Sequence, residues 1–314
     1  MSTVFNYFPL FSRLHNLLKI LIDFSPSTMR PIKLMGHERS LTQVKFNREG
    51  DLIFSVAKDS SASVWYSLNG ERLGTLEGHR GTIWSIAVDS ITRLAATGSA
   101  DLYIKLWDVK TGECLYTYEM PTPVRRVDFS LDNTRLLAVT DQVMGQVGTI
   151  TVFNINYENV SQQSETPAFV IQTRPGAAKV TVATWTAGGK YIVSGHEDGH
   201  ISKYDGATGE FMLTVKAHGI RNEKKVISVT DIQMCPEDKT YFITPSKDKN
   251  AVLLDVESLE TLKVYKADAP INSAAIIPKK NFALLGCGLE ARNVTTTAEP
   301  PGQFEARFYP KIFI

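Results

Sequence analysis

A 42-residue repeat constrains the fold more than any other feature of this sequence. Residues 36–71 and 78–113 both begin with Gly-His and both carry an aspartate and a tryptophan further along. Equivalent positions lie 42 residues apart: His37 and His79, Asp59 and Asp101, Trp65 and Trp107, Gly70 and Gly112. Because four kinds of residue keep one period, we interpret the two segments as copies of one structural unit.

Each copy contains short hydrophobic runs of β type, separated by turn residues. A period of about 40–45 residues with Gly-His and Trp-Asp is typical of WD-repeat β-propeller blades. A blade is a four-stranded antiparallel sheet that cannot bury both of its faces alone, so blades pack face to face around a channel. The sequence therefore predicts an all-β fold, a WD-repeat β-propeller.

The repeat pattern divides residues 30–314 into six recognisable blades and leaves residues 1–29 outside the propeller. The predicted blades cover about 36–77, 78–118, 119–172, 173–216, 217–266 and 267–314. The stretch RPIKLM at residues 30–35 predicts one strand that closes the ring against the last blade. Because no seventh copy follows, we expect the seventh blade to be missing at the C-terminus, through a frame error, an unspliced intron or an incomplete gene model.

The N-terminal extension does not resemble the repeats. Leucine and isoleucine recur at helical spacing over residues 14–22, which predicts a short helix or a weakly ordered segment. The apolar run is too short and too interrupted to span a bilayer. A mitochondrial presequence and a membrane-surface anchor are alternative interpretations. Met29 directly precedes the repeats, so residues 1–28 also fit an upstream extension of the gene model.

A polar residue set recurs in the blades, and we interpret it as a buried hydrogen-bonded network. In WD repeats, this network joins the Gly-His histidine, a Ser or Thr, the turn aspartate and the tryptophan. The predicted members are His37, Ser55, Asp59 and Trp65 in blade one, His79, Thr97, Asp101 and Trp107 in blade two, Ser194 and Asp198 in blade four, and Thr244 and Asp248 in blade five. The same residue types suggest a catalytic triad, but a nucleophile would not need duplication in two blades.

Three blades depart from the full pattern. Blade three has Asp141 at the turn position and Phe153 near the tryptophan position. Blade four has Gly176 where the histidine belongs, so we expect its network to be incomplete. Blade five starts at His218 and carries Leu254 in place of tryptophan.

Composition excludes several kinds of function. The formal net charge is +1 and the basic residues are scattered, which argues against direct sequence-specific or nonspecific nucleic-acid binding. The three cysteines form no Cys-x-x-Cys pair, which favours a reducing, cytoplasmic compartment without disulfides. His196, Glu197, Asp198 and His200 are close in sequence but match no zinc spacing. We therefore expect no metal and no cofactor.

Several stretches go beyond generic WD repeats. They are SSASVWYSLNGERLGTLEGHRGTIWSI at 60–86, GHEDGHISKYD at 195–205, NVTTT at 293–297 and FEARFYPKIF at 304–313. From about residue 30 to residue 313, the chain resembles the i subunit family of eukaryotic translation initiation factor three. The resemblance implies a non-enzymatic scaffold that binds the b and g subunits. It also implies a contribution to mRNA recruitment and scanning on the 40S ribosomal subunit, without membrane attachment.

The resemblance also implies where one partner binds. In this family, a helix of the b subunit lies along the side of blades five and six. Asp238 and Asp255 are acidic residues near strand ends of blade five, and we expect them to pair with basic side chains of that helix. Ordinary solvated carboxylates are the alternative interpretation of both. The alternative function is a different WD-repeat adaptor, in signalling or ubiquitin-ligase recruitment, which the generic repeat marks fit equally well.

Overall fold

In the computed structural model, twenty-three strands form six antiparallel sheets within the described residues. Those residues are 32–143, 145–172, 178–219, 227–236, 240–277, 280–288 and 305–311. Five sheets have four strands and the sixth has three strands among these residues. The arrangement is an all-β propeller with six sheets in a ring, as the repeat period predicts.

The first three sheets follow the chain in sequence, and each strand pairs with its neighbour in the chain. Blade one contains β1 (Leu41–Phe46), β2 (Leu52–Ala57), β3 (Ala62–Tyr66) and β4 (Arg72–Leu76). Blade two contains β5 (Ile83–Val88), β6 (Leu94–Ser99), β7 (Tyr103–Asp108) and β8 (Cys114–Glu119). Blade three contains β9 (Val124–Phe129), β10 (Arg135–Thr140), β11 (Thr149–Asn154) and β12 (Phe169–Gln172).

The remaining three sheets continue the same order. Blade four contains β13 (Val180–Trp185), β14 (Tyr191–His196), β15 (His200–Asp205) and β16 (Phe211–Lys216), with a short 3-10 turn at Ala187–Gly189. Blade five contains β17 (Gln233–Met234), β18 (Tyr241–Pro245), β19 (Asn250–Asp255) and β20 (Thr261–Lys266). Blade six contains β21 (Ile271–Ile276), β22 (Phe282–Cys287) and β23 (Glu305–Pro310).

The core lies between the blades rather than inside any one of them. Alternate side chains of β6 show this division, because Ala95 packs toward blade one while Leu94 and Ala96 pack toward blade three. Such alternation follows from the two-residue period of a strand. Five apolar clusters join successive blades, from the pair one and two to the pair five and six. Each blade therefore depends on its neighbours for the burial of its faces.

Threonine hydroxyls at or shortly before the first strand of three blades add hydrogen bonds between neighbouring blades. Thr181 Oγ1 donates toward Gly195 O of its own blade and Val229 O of blade five, at 3.0 and 2.7 Å. Thr42 and Thr230 occupy the equivalent position, and their hydroxyls reach Ile83 O and Ile271 O of the next blade. One residue type at one position thus connects three pairs of blades.

The prediction of a strand over RPIKLM was wrong for its described part, residues 32–35, which are not in strand conformation. A strand exists only with a hydrogen-bonded partner, and no described strand pairs with this stretch. Ile32 and Leu34 instead lie beside the turn glycine Gly70, where an added Cβ would come within 2.4 Å of Ile32. The predictions for residues 1–31 and 312–314 lie outside the described residues.

Candidate functional site

The polar sets of blades one and two have nearly the same geometry. His37 Nδ1 lies 2.9 Å from Asp59 Oδ2, and its Nε2 lies 2.8 Å from Ser55 Oγ. Trp65 Nε1 donates to the same Ser55 Oγ at 2.8 Å. In blade two, the corresponding distances are 2.8 Å for His79–Asp101, 2.7 Å for His79–Thr97 and 2.8 Å for Trp107–Thr97.

These partners fix the direction of the hydrogen bonds in blade two. Because Asp101 accepts from Nδ1–H of His79, the neutral ring presents Nε2 as an acceptor. Thr97 then donates its hydroxyl proton to Nε2 and accepts from the indole N–H of Trp107. Thr97 is fully buried, so no substrate reaches this hydroxyl. The arrangement therefore suits structural support and not nucleophilic catalysis.

Protonation states in these networks follow from burial and hydrogen bonding. Burial raises the pKa of the Asp59 carboxyl, but hydrogen bonds from His37, Ser61 and the backbone outweigh it and lower the pKa to about 2. The pKa of Asp101 is lowered in the same way, mainly by the Arg80 backbone N–H and by His79 against the effect of burial. Burial lowers the pKa of His79, so its ring is neutral near pH 7.

Blade five retains the histidine and the aspartate but not the tryptophan. His218 Nδ1 lies 3.3 Å from Asp248 Oδ2, and Nε2 lies 3.0 Å from Thr244 Oγ1. Leu254 occupies the tryptophan position and is fully buried. Burial raises the pKa of Asp248, but the bond from His218 and neighbouring groups outweigh it and lower the pKa to about 2. The network of blade five therefore lacks the indole N–H donor that tryptophan supplies in blades one and two.

Blade four has a different network from the one that the sequence predicts. His196, at the end of β14, places Nε2 3.1 Å from Ser194 Oγ and 2.9 Å from Ser202 Oγ. Its Nδ1 lies 3.0 Å from Ala178 O, so Nδ1–H is the donor. His196 therefore bonds Ser194 much as His79 bonds Thr97. Gly176, the expected histidine position, lies outside the described residues.

Asp198 is the turn residue of blade four, and its partner also differs. Asp198 Oδ2 accepts from His200 Nδ1–H at 2.8 Å, so it pairs with a neighbour two residues away. Its side chain is 44% exposed, against 10% for Asp101. Sequence reasoning missed the role of His196. The signal was a histidine where blades one, two and five have the small residues Ala57, Ser99 and Ser246.

Blade three has a third variation, which ties it to its neighbour. Asp141 accepts from Arg125 Nη2 at 2.6 Å and from Lys179 Nζ of blade four at 2.6 Å. Hydrogen bonds from Lys179 and Arg125 lower the pKa of Asp141 against the effect of burial. Phe153 fills the tryptophan position and packs against Tyr118, with ring centroids 4.4 Å apart.

Of the two acidic residues of blade five that we predicted to bind a partner, the structure describes only Asp255. Asp255 ends β19, and its Oδ1 accepts from the backbone N–H groups of Glu257 and Ser258 at 2.9 and 2.8 Å. Asp205 makes the same turn contacts in blade four. Asp255 thus stabilises a hairpin turn and remains partly exposed. Asp238 lies outside the described residues.

Charged side chains cross the central channel. Lys45 of blade one lies 3.4 Å from Asp128 of blade three, and Arg126 of blade three lies 3.1 Å from Asp231 of blade five. Burial is the main cause of a lowered pKa at Lys45. These pairs connect alternate blades across the channel.

Two kinds of feature are missing from the part of the chain that the structure describes. Among those residues, no three histidine, cysteine or acidic side chains come together as metal ligands. No helix in the same ranges is long and apolar enough to cross a membrane.

Comparison with known proteins decides the family. The EIF3I family model matches residues 29–314. Eukaryotic translation initiation factor 3 subunit I of Meyerozyma guilliermondii is 73% identical over 286 residues, covering 91% of this chain and 82% of that protein. The Debaryomyces hansenii protein of the same description is 70% identical over the same shares. The chain belongs to the family of eukaryotic translation initiation factor 3 subunit I.

More distant relatives agree with this assignment. The Saccharomyces cerevisiae subunit I is 53% identical, again over 91% of this chain and 81% of that protein. Membership makes the chain a non-catalytic initiation-factor subunit, as the family resemblance of the sequence implied. The crystal structure of the Myceliophteria thermophila Cps50 (Swd1) β-propeller domain superposes with a TM-score of 0.65, covers 82% of each chain and is 16% identical. At this identity, the match shows the propeller fold alone.

Proposed function

We propose that the chain is a non-catalytic scaffold of eukaryotic translation initiation factor 3. In this role, it binds the b and g subunits and supports mRNA recruitment and scanning on the 40S ribosomal subunit in the cytoplasm. The observation that carries the proposal is the family match across residues 29–314, together with 73% identity to a subunit I. We also propose that residues 30–314 form one ring of blades and that residues 1–29 lie outside it.

A ring of blades suits a scaffold for a physical reason. Successive blades bury their facing sides against each other, so the outer strands and turns are presented on a stiff frame. Because such a surface is already formed, its own ordering adds little to the cost of binding a partner. The hydroxyls of the polar networks are buried, which leaves these networks without access to a substrate.

We propose the side of blade five as the binding surface for the b subunit, with Asp238 and Asp255 facing basic side chains of the partner. What supports Asp255 is a carboxylate that is partly exposed and has only Oδ1 in the turn contacts. Its two roles are separable by substitution. Asn retains the turn acceptor and removes the charge, whereas Lys removes both.

The test measures how tightly folded variants of the chain bind the C-terminal region of the b subunit. We expect Asp255→Asn to weaken binding because it removes the charge attraction, and Asp255→Lys combined with Asp238→Lys to weaken it at least tenfold, about 1.4 kcal/mol. Asp205→Lys is the matched control, because Asp205 holds the same turn in blade four. Unchanged binding in the folded double variant, or an equal loss in Asp205→Lys, would remove the blade-five site.

A further inference from the structure

The first strand of five blades has a β-bulge at the same place, close to the residue where the strand begins. The residue that interrupts the register is Thr42, Trp84, Arg125, Thr181 or Asn272, in blades one, two, three, four and six respectively. Bulges are often found next to active sites, where they re-aim a side chain. We call this end of the central channel, where the first strands begin, the channel mouth.

Blades two and three use the bulged position differently from blades one and four. The hydroxyls of Thr42 and Thr181 reach a backbone carbonyl of the next blade. Among the described residues, neither Trp84 nor Arg125 makes such a bond. The Arg125 guanidinium instead lies 4.2 Å from the centre of the Trp84 ring. Two large side chains of neighbouring blades therefore meet at the channel mouth.

The charges around this stack are not balanced. Asp141 accepts from Arg125 at 2.8 Å through Nε and at 2.6 Å through Nη2, and from Lys179 Nζ at 2.6 Å. Two cations thus share one carboxylate, and no other described acidic side chain pairs with either of them. The Asp141 carboxylate is buried, whereas the side chains of Arg125 and Lys179 are 34% and 29% exposed. The accessible side of the cluster is therefore positive.

Hydrogen-bond donors remain unused beside this positive charge. Trp84 is partly exposed, and its indole N–H has no partner among the described residues, unlike the indole N–H groups of Trp65 and Trp107. The Nη1 group of Arg125 likewise has no acceptor within the described ranges. Unused donors beside a positive charge suit an anionic acceptor, because charge-assisted hydrogen bonds are the strong ones.

Trp84 and Arg125 line a cavity of about 380 Å³, which is within the range of about 300–1,000 Å³ usual for ligand sites. Its apolar wall includes Leu41 and Val44 of blade one, which are 55% and 47% exposed. All of its lining residues belong to the described part of the chain, and the contacts of Trp84 and Arg125 are those given above. Tryptophan and arginine are the residue types enriched at the energetic centres of protein interfaces.

We propose that the channel mouth binds an acidic segment of a partner protein. In this complex, a glutamate or aspartate carboxylate accepts from Arg125 and from the indole N–H of Trp84, and an aliphatic neighbour of that residue packs on Leu41 and Val44. The unbalanced positive charge argues for an acidic occupant. A nucleic acid fits less well, because the Arg125 guanidinium already lies over the ring on which a base would stack.

The channel mouth lies on blades one to three. This proposal therefore goes beyond the blade-five surface and does not depend on it.

The probe is the acetylated and amidated peptide Gly-Leu-Glu-Leu-Gly, titrated into the full chain and followed by the NMR signal of the Trp84 indole N–H. Absence of that signal in Trp84→Phe identifies it. We expect a saturable shift with a Kd of roughly 0.1–1 mM, because a short flexible peptide loses much of its freedom on binding. The matched control peptide carries Gln in place of Glu and should bind at least fivefold more weakly, because it lacks the charge.

Three variants sharpen the assignment. Arg125→Gln removes the positive charge and should weaken peptide binding at least fivefold. Arg125→Lys keeps the charge but not the planar group, so its affinity should lie between those of Arg125→Gln and the unchanged chain. Arg48→Gln makes the same change of charge at an exposed position beyond the other end of β1, and should alter binding by no more than about twofold. Unchanged indole signals of Trp65 and Trp107 establish that each variant is folded.

Three outcomes would overturn the proposal directly. They are equal binding of the Glu and Gln peptides, undiminished binding in folded Arg125→Gln, and no saturable shift of the Trp84 signal.

Two further outcomes would assign the channel mouth to another occupant and would also overturn the proposal. Tighter binding of a uridine tetranucleotide than of the Glu peptide would indicate a nucleic acid. A shift of the Trp84 signal that grows with protein concentration, without peptide, would indicate a second copy of the chain. None of these results bears on the blade-five surface.

Discussion

Asp101 and Asp198 hold the same turn position in two blades, but only Asp101 bonds a buried histidine. The His79 ring depends on Asp101 for the acceptor of its Nδ1–H. Asp198 instead pairs locally with His200 and is far more exposed. The same residue type at the same position therefore has different energetic importance, which is set by what it touches.

Substitution of these two aspartates is expected to separate their roles. Asp101→Ala leaves buried donors unpaired and should lower the free energy of unfolding by about 1–3 kcal/mol. Asp198→Ala should lower it by less than about 1 kcal/mol, because water replaces an exposed carboxylate. Urea unfolding of both variants measures the difference. Equal losses would mean that the blade-two network does not carry the stability assigned to it.

The dependence of stability on pH is a second residue-scale prediction. Burial lowers the folded-state pKa of His79 and His196 below the unfolded value of about 6.5. The unfolded chain then binds more protons, so this stability is present above about pH 6.5 and is lost as pH falls toward the folded pKa. We expect the free energy of unfolding to decrease from pH 7.5 to 5.5, with a smaller decrease in His196→Gln. An unchanged slope in that variant would contradict a neutral buried His196.

At acidic pH, the stability of the fold depends on the aspartates of the networks. The pKa of Asp59 and of Asp248 is about 2 in the folded chain, against about 3.9 when unfolded. Their contribution is therefore present above about pH 4 and is lost as pH falls toward 2.

At the scale of the strand, the interfaces between neighbouring blades, which we call seams, combine apolar packing with a hydrogen bond from a threonine that recurs at one position. The one hydroxyl proton of Thr181 is shared between Gly195 O of blade four and Val229 O of blade five, with the shorter distance to Val229 O. Thr181→Val keeps the shape of the side chain and removes the hydroxyl, so the two carbonyls lose the donor that they share. We expect a loss of about 1–3 kcal/mol in the free energy of unfolding.

The matched control for this prediction is Thr261→Val on the outer strand β20, where the side chain is exposed. It should change stability by no more than about 0.5 kcal/mol. Hydrogen exchange at Val229 and its neighbours should quicken in Thr181→Val, because the altered bond lies at that seam. A stability loss without faster exchange there would contradict the seam assignment.

Most strands could be predicted from the sequence because the recurring residues of each repeat keep a fixed spacing. The turn aspartates and Trp65 and Trp107 located their blades, since a repeat imposes one register on every copy. His196 was missed because it lies at the end of β14, whereas the network histidines of blades one, two and five precede the first strand of their blade, and no spacing rule links the two positions. The strand at residues 30–35 was predicted from local pattern, yet a strand also needs a partner.

At the scale of the molecule, the ring brings together residues that are far apart in sequence. Lys45 and Asp128 are 83 positions apart and meet across the channel. That contact depends on how blades close around an axis, which no local pattern encodes. The propeller fold serves many unrelated functions, so the fold alone does not identify the function of this chain. The family match supplies that assignment.

The central claim is that this propeller acts as the i subunit of initiation factor 3, and affinity purification of the tagged full chain followed by gradient sedimentation tests it most directly. We predict that the b and g subunits are recovered with it and that the assembly sediments with 40S particles. Recovery of the folded chain without b and g, at the top of the gradient, would contradict the account.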